Sequence, residues 1–443
     1  MPSRNILIGG VVAVGLVGVC LCVVLVIMAA LGFVLYNRAT PTAIAPTPSS
    51  IDEQMNVIEQ WVIGQRGWQP TGPVTRAFLS VEEVKQRTLN DFNEDTTPGE
   101  WADSVRVLSA FGVVPPDIDL YDLLLRLYSE GISGFYDPDT HELVLVSETG
   151  GLNAYERVTF AHEYNHALQD QNYDLRGAMG FSDEGWDTDP QRAAAAQALL
   201  EGDSTLMDEQ YKDTLTRAEQ REYDRVLNSF DVSIYSELPE ALFRDFAFPY
   251  LQGADFVKRY YRLGGWARVN EVWQDPPLST EHILHPERYE RGDNPMVLAR
   301  PALTDTLGAG WRLMEASVNG EWGTFLILAY GVDEAARLSE KEAQTAVEGW
   351  GGDDYVAYFN EARNETVLAQ HWVWDTPEDA DEFNRAFTQY ANARFGKSQT
   401  DNTHTCWDNG VHCLYVNGAH SLWLIAPDAE TMDTVLSQYP DLQ

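Results

Sequence analysis

From residue 6 to residue 36 the chain runs for 31 residues, mostly Val, Leu, Ile, Gly and Ala, without one charged side chain. A bilayer-spanning helix needs about 20 apolar residues, so the run is long enough to cross a membrane. It is too long for the apolar region of a cleaved secretory signal, about 7 to 15 residues, and an uncleaved single-pass anchor is expected. The folded body must then follow it. Cys20 and Cys22 lie in the run, but Val19 poorly matches the small residue that lipid-modified cysteines prefer there, so no lipidation is expected. Arg4 and Arg38 flank opposite ends, and charge therefore says little about orientation.

The expected organisation is a short flank at 1–5, the transmembrane anchor at 6–36, a Pro/Thr-rich linker at 37–50, a mainly helical domain at 51–305 and a smaller α+β domain at 306–443. The linker has three prolines and no charge between Ala39 and Ser50, the composition of an extended spacer. Lys and Arg number 30 against 68 Asp and Glu, a net charge of −38, which argues against nucleic acid as a partner.

Residues 51–130 read as helical. A turn at 134–140 (GFYDPDT) leads into a strand at 141–147 (HELVLVS). Asn153 and Glu156 can cap a helix running to about Asp170, a surface loop is expected at 176–190, and a second helix at 191–215. The last part reads as helices at 322–330, 333–349 and 377–395, strands at 355–359, 366–374 and around Leu414 and Leu422, and a short final helix. Cys406 and Cys413 flank an Asn-Gly turn, so a hairpin closed by a disulfide is expected. A disulfide favours an oxidising compartment and hence an extracytoplasmic body.

His162-Glu163-Tyr164-Asn165-His166 is an H-E-x-x-H pattern inside the first of those helices. Residues four apart share a helix face, so both imidazoles can reach one zinc ion, one per chain, with Glu163 beside the open position as general base. Chance would give this pattern on the order of 0.01 times in such a chain. A third ligand is needed. Glu201, 35 residues after His166 and followed by a glycine that permits close approach, is the preferred carboxylate; Asp203, Asp208 and Glu209 compete. Asp170 and Asp203 are expected in the shell behind the ligands, although Asp170 reads equally well as an exposed helix-terminal acid. His285, Tyr250 and Tyr289 are candidates to stabilise an oxyanion, with His285 placed among the catalytic residues.

At these residues the chain resembles gluzincin-type zinc metallopeptidases and, more closely, a group of uncharacterised bacterial membrane-anchored metallopeptidases. The segments that carry this are GFYDP at 134–138, HEYNHALQDQ at 162–171, ALLEGD at 198–203, PPLSTEHILHP at 276–286 and EGWGGD at 348–353. The resemblance implies a zincin-like domain in which an edge strand, here 141–147, binds extended peptide, so that a peptide or protein is the substrate. The gap from His166 to Glu201 is longer than in thermolysin-like members. A membrane-tethered surface or sensor protein with a degenerate or structural zinc site is the alternative.

Overall fold

The computed structural model describes Cys20–Leu21 and residues 50–442, apart from 131, 148–151, 178, 181 and 401–403. The expected anchor at 6–36 lies outside the described residues except for Cys20–Leu21. Among the described residues no helix is long and apolar enough to cross a membrane. The fold is α+β, with two sheets set among helices.

The first helix, α1 (Ile51–Arg66), starts with a reciprocal cap between Ser50 and Glu53 and stops at Gly67, whose φ of 74° favours a residue without Cβ. The first sheet has four strands, β1 (Cys20–Leu21), β2 (Thr75–Leu79), β3 (Gly134–Asp137) and β4 (Glu142–Val146), in the order β1-β3-β4-β2. β4 runs parallel to β2 and antiparallel to β3. This corrects two expectations. The stretch 51–130 is not wholly helical, because Thr75–Leu79 pairs with a strand far along the chain, which no local pattern reports. Nor is 141–147 an edge: both sides of β4 are paired, and Leu143, Val144 and Leu145 are all buried, as in an interior strand.

Helix α2 (Ala154–Tyr173) is capped by Asn153 and Glu156, and from Ala154 to Gln169 every residue but Arg157 is buried. The expected loop at 176–190 instead contains a short helix, Asp183–Thr188, whose buried Trp186 clusters with Ala193 and Ala194. Pro190 opens α3 (Pro190–Lys212) behind the Asp189 cap. The long α4 (Glu240–Gln274) breaks at Gly264 and Gly265 and folds back, so that Lys258 reaches Glu209 and Trp273 reaches Asp203. α3 and α4 touch backbone to backbone, since a Cβ on Gly202 would lie 2.2 Å from the carbonyl carbon of Gly253. The glycine after Glu201 therefore serves a helix crossing.

The second sheet is antiparallel throughout: β5 (Trp311–Ser317), β6 (Trp350–Asn360), β7 (Glu365–Trp374), β8 (Gln399–Thr400), β9 (His404–Trp407), β10 (His412–Asn417) and β11 (His420–Ile425), in the order β5-β6-β7-β11-β10-β9-β8. Helices α5 (Gly320–Tyr330) and α6 (Pro377–Phe395) pack on it. Strand β5 was not expected, and β6 starts earlier than expected, inside EGWGGD, where Gly352 lets the Met296 carbonyl approach. Cys406 and Cys413 face each other across β9 and β10 and are joined in a disulfide. One hydrophobic cluster runs through both parts of the chain, with Phe111 between Tyr355 and Trp423. Arg394 of α6 donates to Phe111 O at 2.9 Å and Ser109 O at 3.3 Å, closing the carbonyl end of helix Pro98–Phe111.

Candidate metal centre

Two elements build the centre. α2 carries His162, Glu163 and His166, α3 carries Glu201, and all four residues are buried. His162, His166 and Glu201 each offer one donor atom, and these atoms lie within 4.8 Å of one another. Glu201 Oε2 is 3.3 Å from His162 Nε2 and 3.5 Å from His166 Nε2. His166 Nε2 is buried and makes no hydrogen bond. Such a group could hold a metal ion.

The other nitrogen of each ring is held from behind. His162 Nδ1 is 2.9 Å from Asp208 Oδ2, and His166 Nδ1 is 2.7 Å from Gln169 Oε1. Both acceptors take a proton from Nδ1, which turns Nε2 of each ring toward Glu201, where it can bind either a proton or a metal ion. Gln169 is fixed in turn, its amide donating to Leu200 O at 3.2 Å.

The electrostatics agree with a cation at this place. Burial opposes charge on His162, but Asp208, Glu201 and Glu163 outweigh it and hold the imidazole well above its usual range. Burial pushes the Glu201 carboxyl up, and His166 and His162 more than offset this, leaving it below its ordinary value. Burial raises Asp208 despite the adjacent His162. Three carboxyl groups, Asp208, Glu201 and Glu163, thus act on the His162 ring. Two imidazoles and one carboxylate also form a donor set that suits zinc, so the residues present fit that ion.

The other expected residues have the following surroundings. Asp170 does not hold a ligand imidazole, because its Oδ2 accepts from the Tyr136 hydroxyl at 2.9 Å and lies 3.3 Å from His141 Nδ1. Asp203 points away from the histidine rings to Arg66, Trp273 and Asn165. Glu209 pairs with Lys258 at 2.6 Å. His285 binds Glu321 of α5 through Nε2 at 2.8 Å, and Tyr289 donates to Asp275 O at 2.6 Å. Tyr250 is buried in α4. The roles of Asp208 and Gln169 behind the rings were not anticipated from sequence.

Residues 311–436 match the model of a family described as a domain of unknown function (DUF8575). The match begins at the first residue of β5 and ends at the last residue of helix Ala429–Leu436, and it contains none of the metal-centre residues. The chain matches no curated protein and no solved structure.

Proposed function

We propose that the chain is a zinc-dependent peptidase of the gluzincin type, in which His162, His166 and Glu201 hold the ion and Glu163 is the general base. One observation carries this reading: two histidines and a carboxylate converge in a buried group while the H-E-x-x-H spacing sets Glu163 beside it. When bound, zinc supplies Lewis acidity toward water and a peptide carbonyl. Glu163 takes a proton from the attacking water and returns it to the leaving amine. Asp208 and Gln169 keep both rings in the tautomer that presents Nε2. A polypeptide substrate is supported by β3, which packs on α2 and pairs along its outer side with the extended Cys20–Leu21. The disulfide supports an oxidising compartment.

Burial favours a second reading, in which the ion only braces α2 against α3, since Glu163, both histidines and Glu201 are all at most 1% exposed. Hydrolysis of an unstructured protein such as casein by the full-length chain separates the two. The peptidase reading expects cleavage that a chelator abolishes and that Glu163→Gln lowers by about 10²- to 10⁴-fold with zinc still bound. A Glu163→Gln variant as active as the wild type would overturn that role, and zinc-loaded wild-type protein that cleaves nothing would favour the bracing ion.

A further inference from the structure

We propose that Arg66, at the end of α1, is a positioning residue for the metal centre, acting through Asp203 and Asn165 on the helix that carries both histidines. This rests on the reading of His162, His166 and Glu201 as metal ligands.

Arg66 lies beneath the surface at 1% exposure. Its Nη2 and Nε reach the two oxygens of Asp203 at 2.8 and 3.2 Å, its Nη1 donates to Asn270, and its guanidinium lies against Trp68 and Trp266, 3.3 and 4.4 Å from the ring centroids. Both side chains of the Arg66–Asp203 pair are fully buried, and among the described residues no other Arg or Lys ion pair is buried at both ends. A buried ion pair is a weak source of stability, because apolar residues of similar size often serve as well. What this pair provides is direction. Asp203 also accepts from Trp273 Nε1 at 2.8 Å and from Asn165 Nδ2 at 2.8 Å.

Asn165 stands between the two ligand histidines in sequence. Its amide bridges Asp203 Oδ1 and Ser204 Oγ, the latter at 2.9 Å, and these residues follow Glu201 closely on α3. Ser204 Oγ lies 3.3 Å from His166 Nδ1. A helix supplying two ligands can turn about its axis or slide along its neighbour, and either movement changes the distance from the imidazoles to Glu201. The Asn165 amide fixes that register, and Arg66 fixes the carboxylate to which Asn165 is tied. The helix that begins the described body thus belongs to the metal centre.

The test uses full-length wild type, Arg66→Gln, Asn165→Ala and the double variant. Zn²⁺ affinity is read by chelator competition, and ligand geometry by the visible absorption bands of bound Co²⁺. Folding is checked by circular dichroism at the temperature used. Expected is a loss of Zn²⁺ affinity on the order of 10- to 100-fold in each single variant with altered Co²⁺ bands, as for other residues that orient ligands. The double variant should be no weaker than the worse single one, because both cut the same relay. Folded Arg66→Gln with wild-type affinity and an unchanged Co²⁺ spectrum overturns the proposal. Should Arg66→Gln fail to fold, Asn165→Ala decides, and wild-type affinity and spectrum there overturn it. Wild-type protein that takes up neither ion overturns the centre itself, and the positioning role with it.

Discussion

Asp208 Oδ2 and His162 Nδ1 lie 2.9 Å apart, and this contact turns the opposite nitrogen of the ring toward Glu201. Replacing Asp208 by Ala frees the ring to take the other tautomer and removes a charge that favours a cation. Zinc affinity should fall about 10- to 100-fold, measured by chelator competition, while the fold persists. Unchanged affinity would show that another group orients the ring.

Helical geometry explains why Asp208 orients the ring and Asp203 does not. At 3.6 residues per turn, a residue seven positions after Glu201 returns to nearly the same face, while one two positions on lies about 200° around the helix. Glu201 and Asp208 therefore both face the histidine rings, and Asp203 faces Arg66, Trp273 and Asn165. The two histidines and their helix were legible because spacing and cap are local. Arg66 was not, since its role depends on the turn at Gly264 and Gly265 that brings Trp266, Asn270 and Trp273 around it. The interior place of β4 was half legible: the buried Leu143-Val144-Leu145 run suggests a strand covered on both faces, but its partners, β2 and β3, come from pairing that the local sequence does not encode.

Gly202→Ala should damage the centre without touching a ligand. The added methyl would lie 2.2 Å from Gly253 backbone atoms, which cannot rotate away, so α3 must move off α4. A stability loss of about 1–3 kcal/mol or more by denaturant titration is expected, together with weaker zinc binding. Stability within error of the wild type would show that this crossing yields.

Glu315, fully buried in β5, is pushed up by burial to about 8 from an ordinary 4.5, although its bond with the Tyr355 hydroxyl works the other way. The unfolded chain releases this proton near the ordinary value and the folded chain keeps it, so the contribution is complete below about 4.5. It is lost as pH rises to about 8 and stays level above that. Replacing Glu315 by Gln should flatten the fall of melting temperature across that window. Parallel profiles for the two proteins would contradict the assignment.

The disulfide closes a short loop near the edge of the second sheet, joining residues 7 apart in sequence. The chain-entropy estimate gives at most about 3 kcal/mol for such a loop. Reduction should lower the melting temperature while leaving zinc bound, because α2 and α3 lie outside β9 and β10. Release of zinc on reduction would show that the two regions are coupled more tightly than this.

Metal analysis of the purified full-length chain bears most directly on the centre. Expected is one zinc per chain in the wild type, retained in Glu163→Gln, where the base is lost but the ligands remain, and depleted in Glu201→Ala, where two imidazoles alone must hold the ion. Wild-type protein without metal, or Glu201→Ala with its full complement of zinc, would contradict the assignment of His162, His166 and Glu201 as the ligands.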